Sequence, residues 1–154
     1  MLGRVYDIGM ADTPRPIDPR GPRFNQGVLT VALLGGFAAG WEPIVPLFAV
    51  VLLLGAAFGP RYGPVLRLYS TFVRPRLRPP AELEDPRPPR FAAAVGVTFL
   101  AAATIAFLAG GDTVGWALAL IVAALAGLAA TTGICVGCEV YLFLARRRGL
   151  HLVA

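Results

Sequence analysis

The chain has no lysine, one histidine and two cysteines, and only 15% of its 154 residues are charged. Each scarcity removes a class of protein. A soluble domain carries roughly 25% charged residues. With 56% hydrophobic residues and a mean hydropathy of +0.68, this chain has too little polar surface to dress a water-soluble bundle. Two cysteines, Cys135 and Cys138, cannot form a disulfide scaffold. The only histidine, His151, lies past Arg146, Arg147 and Arg148, so no tetrahedral zinc set is available and no metal ligand is assigned. There is no glycine-rich phosphate loop and no histidine near a serine, and Glu82 and Glu84 sit in a solvated stretch, which leaves nucleotide and hydrolase chemistry without a motif. The formal charge of +5 does not argue for nucleic acid, because the arginines flank apolar runs and lipid head groups account for them.

What is present is apolar sequence in long uncharged blocks, the signature of an all-α integral membrane protein. The 18 glycines and 14 prolines are interspersed with Leu, Val, Phe and Ala, which excludes disorder for most of the chain. Arg-only basicity with abundant Ala, Gly, Pro and Val fits a G+C-rich bacterial coding bias. Four spans are expected, at about 24–41, 44–58, 91–109 and 114–145, the second short for a bilayer of ~30 Å hydrocarbon. The segment 1–16 is expected to be a flexible cytoplasmic N-terminus, 17–145 the transmembrane domain, 59–90 a cytoplasmic loop and 146–154 a basic cytoplasmic tail. The N-terminal stretch carries Asp7, Asp12, Asp18 and four arginines before any apolar run, unlike a secretory signal or transit peptide. The first span therefore acts as its own insertion signal.

Arginine placement gives orientation. Arg4, Arg15, Arg20 and Arg23 precede the first span, seven arginines lie from Arg61 to Arg90, and three follow the fourth, while the two short turns have none. The positive-inside rule puts both termini and the central loop in the cytoplasm of a bacterial inner-membrane, multi-pass protein, with Trp41 and Trp116 at the outer interface. Asp18-Pro19-Arg20-Gly21-Pro22-Arg23-Phe24 recurs as Asp85-Pro86-Arg87-Pro88-Pro89-Arg90-Phe91, six of seven positions matching, each just before a hairpin. Two hairpins that start from the same face form a parallel internal repeat about an axis along the membrane normal. In the central loop, Val65, Leu66, Leu68, Tyr69, Phe72 and Val73 interleave with Arg67 and Arg74, a pattern suited to a short interfacial helix.

The fourth span ends Thr131-Thr132-Gly133-Ile134-Cys135-Val136-Gly137-Cys138-Glu139. As a continuous helix it aligns Thr131, Cys135 and Cys138 on one face, with Cys138 about 12 Å and Cys135 about 16 Å above Arg146. Glu139 costs ~2.5–3.5 kcal/mol near a bilayer centre, so it points into the bundle or reaches the cytoplasmic interface. Paired thiols facing a reducing compartment are catalytic or metal-binding more often than structural. A continuous helix would put them near its partially negative end and suppress the reactive thiolate. Two remedies are open: a break at Gly133 and Gly137 that lets Cys135 cap a new N-terminus, or approach of Arg23 and Arg90. Asn25 and Gln26 would add hydrogen bonds from the mouth of the first span. The competing reading is packing, since Gly133-x-x-x-Gly137 and Ala123-x-x-x-Gly127 are small-residue seams to which a cysteine can belong.

Ile17 to Gln26, Phe58-Gly59-Pro60-Arg61, Val73 to Leu77, Pro89-Arg90-Phe91-Ala92 and Gly133 to Cys138 together resemble an uncharacterised bacterial family of small four-span membrane proteins, a domain of unknown function. The resemblance runs from Ile17 to Tyr141. Family members tend to be encoded beside thioredoxin-like and rhodanese-like proteins, so the resemblance implies thiol or sulfur traffic. It carries no established catalytic residue.

The expectation is a membrane thiol-disulfide or sulfur-relay component. Cys135 and Cys138 would exchange with a thioredoxin-like or rhodanese-like cytoplasmic partner, Glu139 would handle protons, and Arg23 and Arg90 would stabilise anionic sulfur, with Asn25 and Gln26 binding ligand. Quinone is the natural electron acceptor if electrons enter the bilayer. The alternatives are a soft-metal binding or transport protein, and a non-catalytic subunit of a homo-oligomer or larger membrane complex. A membrane-impermeant maleimide should label the cysteines in inverted vesicles and leave them untouched in right-side-out ones; labelling from the opposite side would reverse the orientation read from the arginines.

Overall fold

The computed structural model describes residues 16–59, 62–80 and 82–148. Expectations placed on segment 1–15, including Arg4 and Arg15, and on Arg61 and His151 lie outside the described residues. Six α-helices follow one another: α1 (Arg20–Ala39), α2 (Ile44–Phe58), α3 (Pro64–Leu68), α4 (Arg87–Leu108), α5 (Asp112–Thr132) and α6 (Val136–Arg147). α3 runs on into a π-helical turn at Tyr69–Val73 and a 3-10 turn at Arg74–Arg76. No strand occurs among the described residues. By length and composition α4 and α5 are apolar enough to cross a membrane, and α2 is a shorter apolar helix.

Both long helices of the repeat begin earlier than hydropathy suggests, at Arg20 and Arg87 instead of Phe24 and Phe91. The cause is the same in each copy. The Asp18 carboxylate accepts the backbone N–H of Arg20 at 2.9 Å, and the Asp85 carboxylate accepts that of Arg87 at 2.8 Å. Each satisfies an N–H that a helix start leaves without an intrahelical partner. The residue before each aspartate then joins the two copies: Ile17 and Glu84 form an antiparallel bridge with both N–H···O bonds at 2.9 Å.

The helices pack crosswise between copies, α1 on α5 and α2 on α4, with α4 and α5 also in contact. Their core is Leu29, Leu33, Val45, Leu52 and Leu100, set against an alanine-rich face of α5 formed by Ala119, Ala123 and Ala126. Small side chains there let backbones approach closely. The Thr30 hydroxyl donates to Gln26 O at 2.8 Å and lies 3.3 Å from Ala123 O on the neighbouring helix, and Thr30 Cγ2 closes on Gly127.

At the turn end of the bundle α1 stops at Gly40, whose φ of 63° lets the chain reverse while its N–H bonds Gly36 O and Phe37 O. Trp116 stands edge-on between Phe37 and Phe107, with centroids 5.3 Å away in both cases. At the motif end, Phe24 stacks on Tyr69 at 5.5 Å and Phe91 on Tyr141 at 5.6 Å. The short segments after each hairpin are thus pinned to the start of their own copy by the same aromatic pair.

Many large apolar side chains face outward, among them Val31, Ile105 and Leu108, the last 85% exposed. Exposed apolar surface of this extent marks contact with a membrane or with a partner protein.

One expected element is corrected. The run 114–145 is not a single helix: α5 ends at Thr132, Gly133 takes φ 79°, and α6 starts afresh at Val136. The polar stripe expected from Thr131 through Cys135 to Cys138 therefore does not exist. The Thr131 hydroxyl turns back to Gly127 O at 2.8 Å, and Thr132 Oγ1 accepts the Ile134 N–H at 3.1 Å inside the break.

Gly36 and Gly35 give a paired test of packing. A Cβ on Gly36 would lie 2.3 Å from Ile44 Cγ2, whereas one on Gly35 meets nothing within 4 Å. Gly36→Val should lower the melting temperature in detergent by overpacking worth about 1–3 kcal/mol. Gly35→Ala should leave it unchanged or raise it by up to about 1 kcal/mol equivalent.

Candidate functional site

The break at Gly133 creates the site. A residue with φ near +79° avoids strain only without a Cβ, and here a Cβ would also collide with the Arg23 guanidinium, 2.3 Å from its Nη2. Arg23 therefore lies against the C-terminal end of α5, where carbonyls without helical partners favour a cation. Arg90 does the equivalent in the other copy: its Nε and Nη2 donate to Ala56 O at 3.1 and 3.0 Å, and Nη2 also to Ala57 O at 3.1 Å, capping α2. Both motif arginines thus lie at helix ends, and Arg90 is hydrogen-bonded to its own. Arg23 comes close to the cysteine segment, and Arg90 is spent on α2.

Beyond the break, Cys135 is the N-cap of α6, extended at φ −91° and ψ 107°, and its sulfur accepts the Cys138 backbone N–H at 3.4 Å. Gln26 Nε2, reaching over from α1, donates to the same sulfur at 3.5 Å. Of the two remedies open in the sequence, the first is realised, at Gly133 alone. Gly137 stays within α6, where it packs against Ala92, 2.8 Å from where its Cβ would be.

The pair lies past the end of α5. The Cys135 thiol is held below its ordinary range, first by the hydrogen bond from the Cys138 thiol and then by the N–H groups of Cys138 and Gly137 and the Gln26 amide, with burial opposing them. Cys138, which supplies that hydrogen bond, is pushed up and keeps its proton. Position at a helix N-terminus stabilises a thiolate, which reverses the expectation drawn for a continuous helix. Both cysteines are free and half-buried.

Glu139 is exposed on the first turn of α6, a favourable place for a carboxylate beside a helix N-terminus. It does not point into the bundle. Asn25 and Gln26, the chain's only carboxamide side chains, line a cavity of about 150 Å³ together with Cys135, Leu29, Leu52 and Gly55. The structure thus brings Cys135, Gln26, Asn25 and Arg90 to one cavity, with Cys138 bonded to Cys135, Arg23 beside Gly133, and Glu139 outside the cavity. Sequence reasoning missed Gly55 and Gly96, which shape the cavity. No pattern marks them, since each is one glycine within an apolar helix. Among the described residues no three His, Cys, Asp or Glu side chains gather to hold a metal.

The features in hand are those of an all-helical protein with two membrane-length apolar helices and a vicinal dithiol at a helix N-terminus. The chain belongs to the family described as Domain of unknown function (DUF4395), whose model matches residues 17–146. Comparison with curated proteins and with solved structures finds no match.

Because Cys135 ionises below the ordinary thiol range, its alkylation by iodoacetamide should reach half-maximal rate at a lower pH than a free cysteine near 8.5. Gln26→Leu removes one hydrogen bond to the thiolate, worth about 1 kcal/mol, and should move that midpoint up by about half to one pH unit. An unmoved midpoint would show that the amide does not act on the sulfur.

Proposed function

We propose that this protein is a four-span inner-membrane thiol-disulfide or sulfur-relay component that works at its cytoplasmic face. The observation that carries the reading is the Cys135 sulfur capping α6, with N–H donors from Cys138 and Gln26 aimed at it. A Cys-x-x-Cys pair opening a helix is the arrangement that lowers the first thiol's pKa and readies it for exchange. Packing alone does not call for an amide reaching from α1 to a sulfur.

In this reading α1, α2, α4 and α5 cross the bilayer as two hairpins related by a parallel repeat. Both termini lie in the cytoplasm, and α3 and α6 rest at the inner interface. The outward apolar side chains, the arginine-free turns and the doubled Asp-Pro-Arg starts support it. The Cys135 thiolate attacks a disulfide or persulfide sulfur of a thioredoxin-like or rhodanese-like partner. This forms a mixed disulfide and expels the partner's other sulfur as thiolate, or a persulfide's outer sulfur as hydrosulfide. Cys138, protonated until then, loses its proton, attacks Cys135 and releases the partner as a thiolate. Exposed Glu139 passes that proton to water. Arg23, beside Gly133, offsets the negative charge on sulfur.

Two single substitutions separate the steps. Cys138→Ser should accumulate the mixed disulfide, visible on non-reducing gels of native membranes as a reducible adduct. Cys135→Ser should abolish it while membrane insertion stays intact. Equal adduct levels in wild type and both variants would remove the relay. The soft-metal reading instead expects copper or mercury to co-purify in proportion to the two thiols.

A further inference from the structure

Several contacts of the two copies fall at corresponding positions, and the cavity is lined by both copies. Cys135 is the N-cap of α6 and stands six residues before Tyr141, the ring stacked on Phe91. Gly63 is the N-cap of α3 and stands six residues before Tyr69, the ring stacked on Phe24. Asn25 and Gln26 correspond in the same way to Ala92 and Ala93, counting from the aspartates Asp18 and Asp85. All six of these residues line the one cavity. Its carboxamides come from α1 and its sulfur from the start of α6, where Gln26 meets Cys135, and the corresponding positions of the other copy are in each case alanine or glycine.

The occupant must therefore be hydrogen-bonding at one edge and apolar elsewhere. A space near 150 Å³ lined by aliphatic groups takes a single six-membered ring, and any tail must leave toward the apolar outer surface. An acyl chain has no use for the amides. Thiol-disulfide exchange is reversible: run from a reduced partner, it leaves the partner as a disulfide and returns Cys135 and Cys138 as dithiol. Closing that dithiol again yields two electrons and two protons that need an acceptor.

We propose, resting on the relay reading above, that this cavity binds the ring of a lipid-soluble quinone, with Cys135 at its polar edge. The S–S bond forms between Cys135 and Cys138 as both S–H bonds are lost. The electron pair and two protons pass to the two quinone oxygens, giving the hydroquinone. Gln26 and Asn25 supply donors to a ring oxygen as negative charge builds there. Gly55 leaves the room: a Cβ on it meets no atom within 4 Å.

The test uses the full-length protein in lipid nanodiscs, reduced, freed of reductant and mixed with decylubiquinone, whose fully substituted ring does not form stable thioethers. Thiol loss is counted by mass tagging and hydroquinone by the fall in ultraviolet absorbance. The expected result is one hydroquinone per thiol pair oxidised. Gly55→Leu, which raises helix propensity and is checked for folding by circular dichroism, should slow this by at least about tenfold through lost binding. A photoreactive azido-quinone should label α1 and α4 residues of the cavity and be displaced by excess decylubiquinone. Quinone reduction at the wild-type rate in Gly55→Leu, or labelling elsewhere, overturns the assignment. Wild-type thiols that exchange with glutathione disulfide but ignore quinone overturn it and leave the relay standing. Thiols inert to both remove the relay and this inference together.

Discussion

The arrangement depends on one backbone torsion. Gly133 in the left-handed region stops α5 and turns what would have been the negative end of a long helix into the positive start of a new one three residues later. A side chain there is strained by the positive φ itself, and the Arg23 guanidinium lies in the space a Cβ would take, which puts a cation beside the segment that carries the sulfurs. Without the break, Cys135 and Cys138 would sit on a continuous helix near the partial negative charge of its carboxyl end.

The repeat explains why Arg23 is there. Each copy's second motif arginine lies at the end of the second helix of the other copy, Arg90 bonded to the last carbonyls of α2 and Arg23 beside Gly133 after α5. Each copy's phenylalanine stacks on the tyrosine that follows its own hairpin. The Ile17–Glu84 bridge ties the two starts together at equivalent positions. The duplicated contacts form a frame, and departures from duplication lie where the polar and sulfur groups are.

Much of this was legible in the sequence. Uncharged apolar runs identified the helices, and the doubled Asp-Pro-Arg motif identified the repeat, since aspartate followed by proline sets a turn by local chemistry alone. The dithiol was legible as a motif, and the break that makes Cys135 the cap of a new helix was one of the two arrangements the sequence left open. The run 114–145 nevertheless reads as continuous, because glycine is common inside apolar membrane helices and nothing local to the sequence distinguishes Gly133, which takes the left-handed conformation, from the glycines that stay helical. The different fates of Arg23 and Arg90 were equally hidden, as identical motifs gave no hint of which helix end held sulfur. The cavity had no signature at all: it is lined by residues of several helices, Gly55 and Gly96 among them, whose neighbours are set by tertiary packing.

The matched positions Gly63 and Cys135 bear on why the two halves share one chain. A symmetric dimer of half-length chains must repeat every residue on both sides of its axis, so a thiol pair on one side would face a second identical pair on the other, ready to cross-link with it. Covalent fusion lifts that obligation. In a single chain one copy is free to carry sulfur where the other carries a bare glycine, so the shared cavity need not be symmetric.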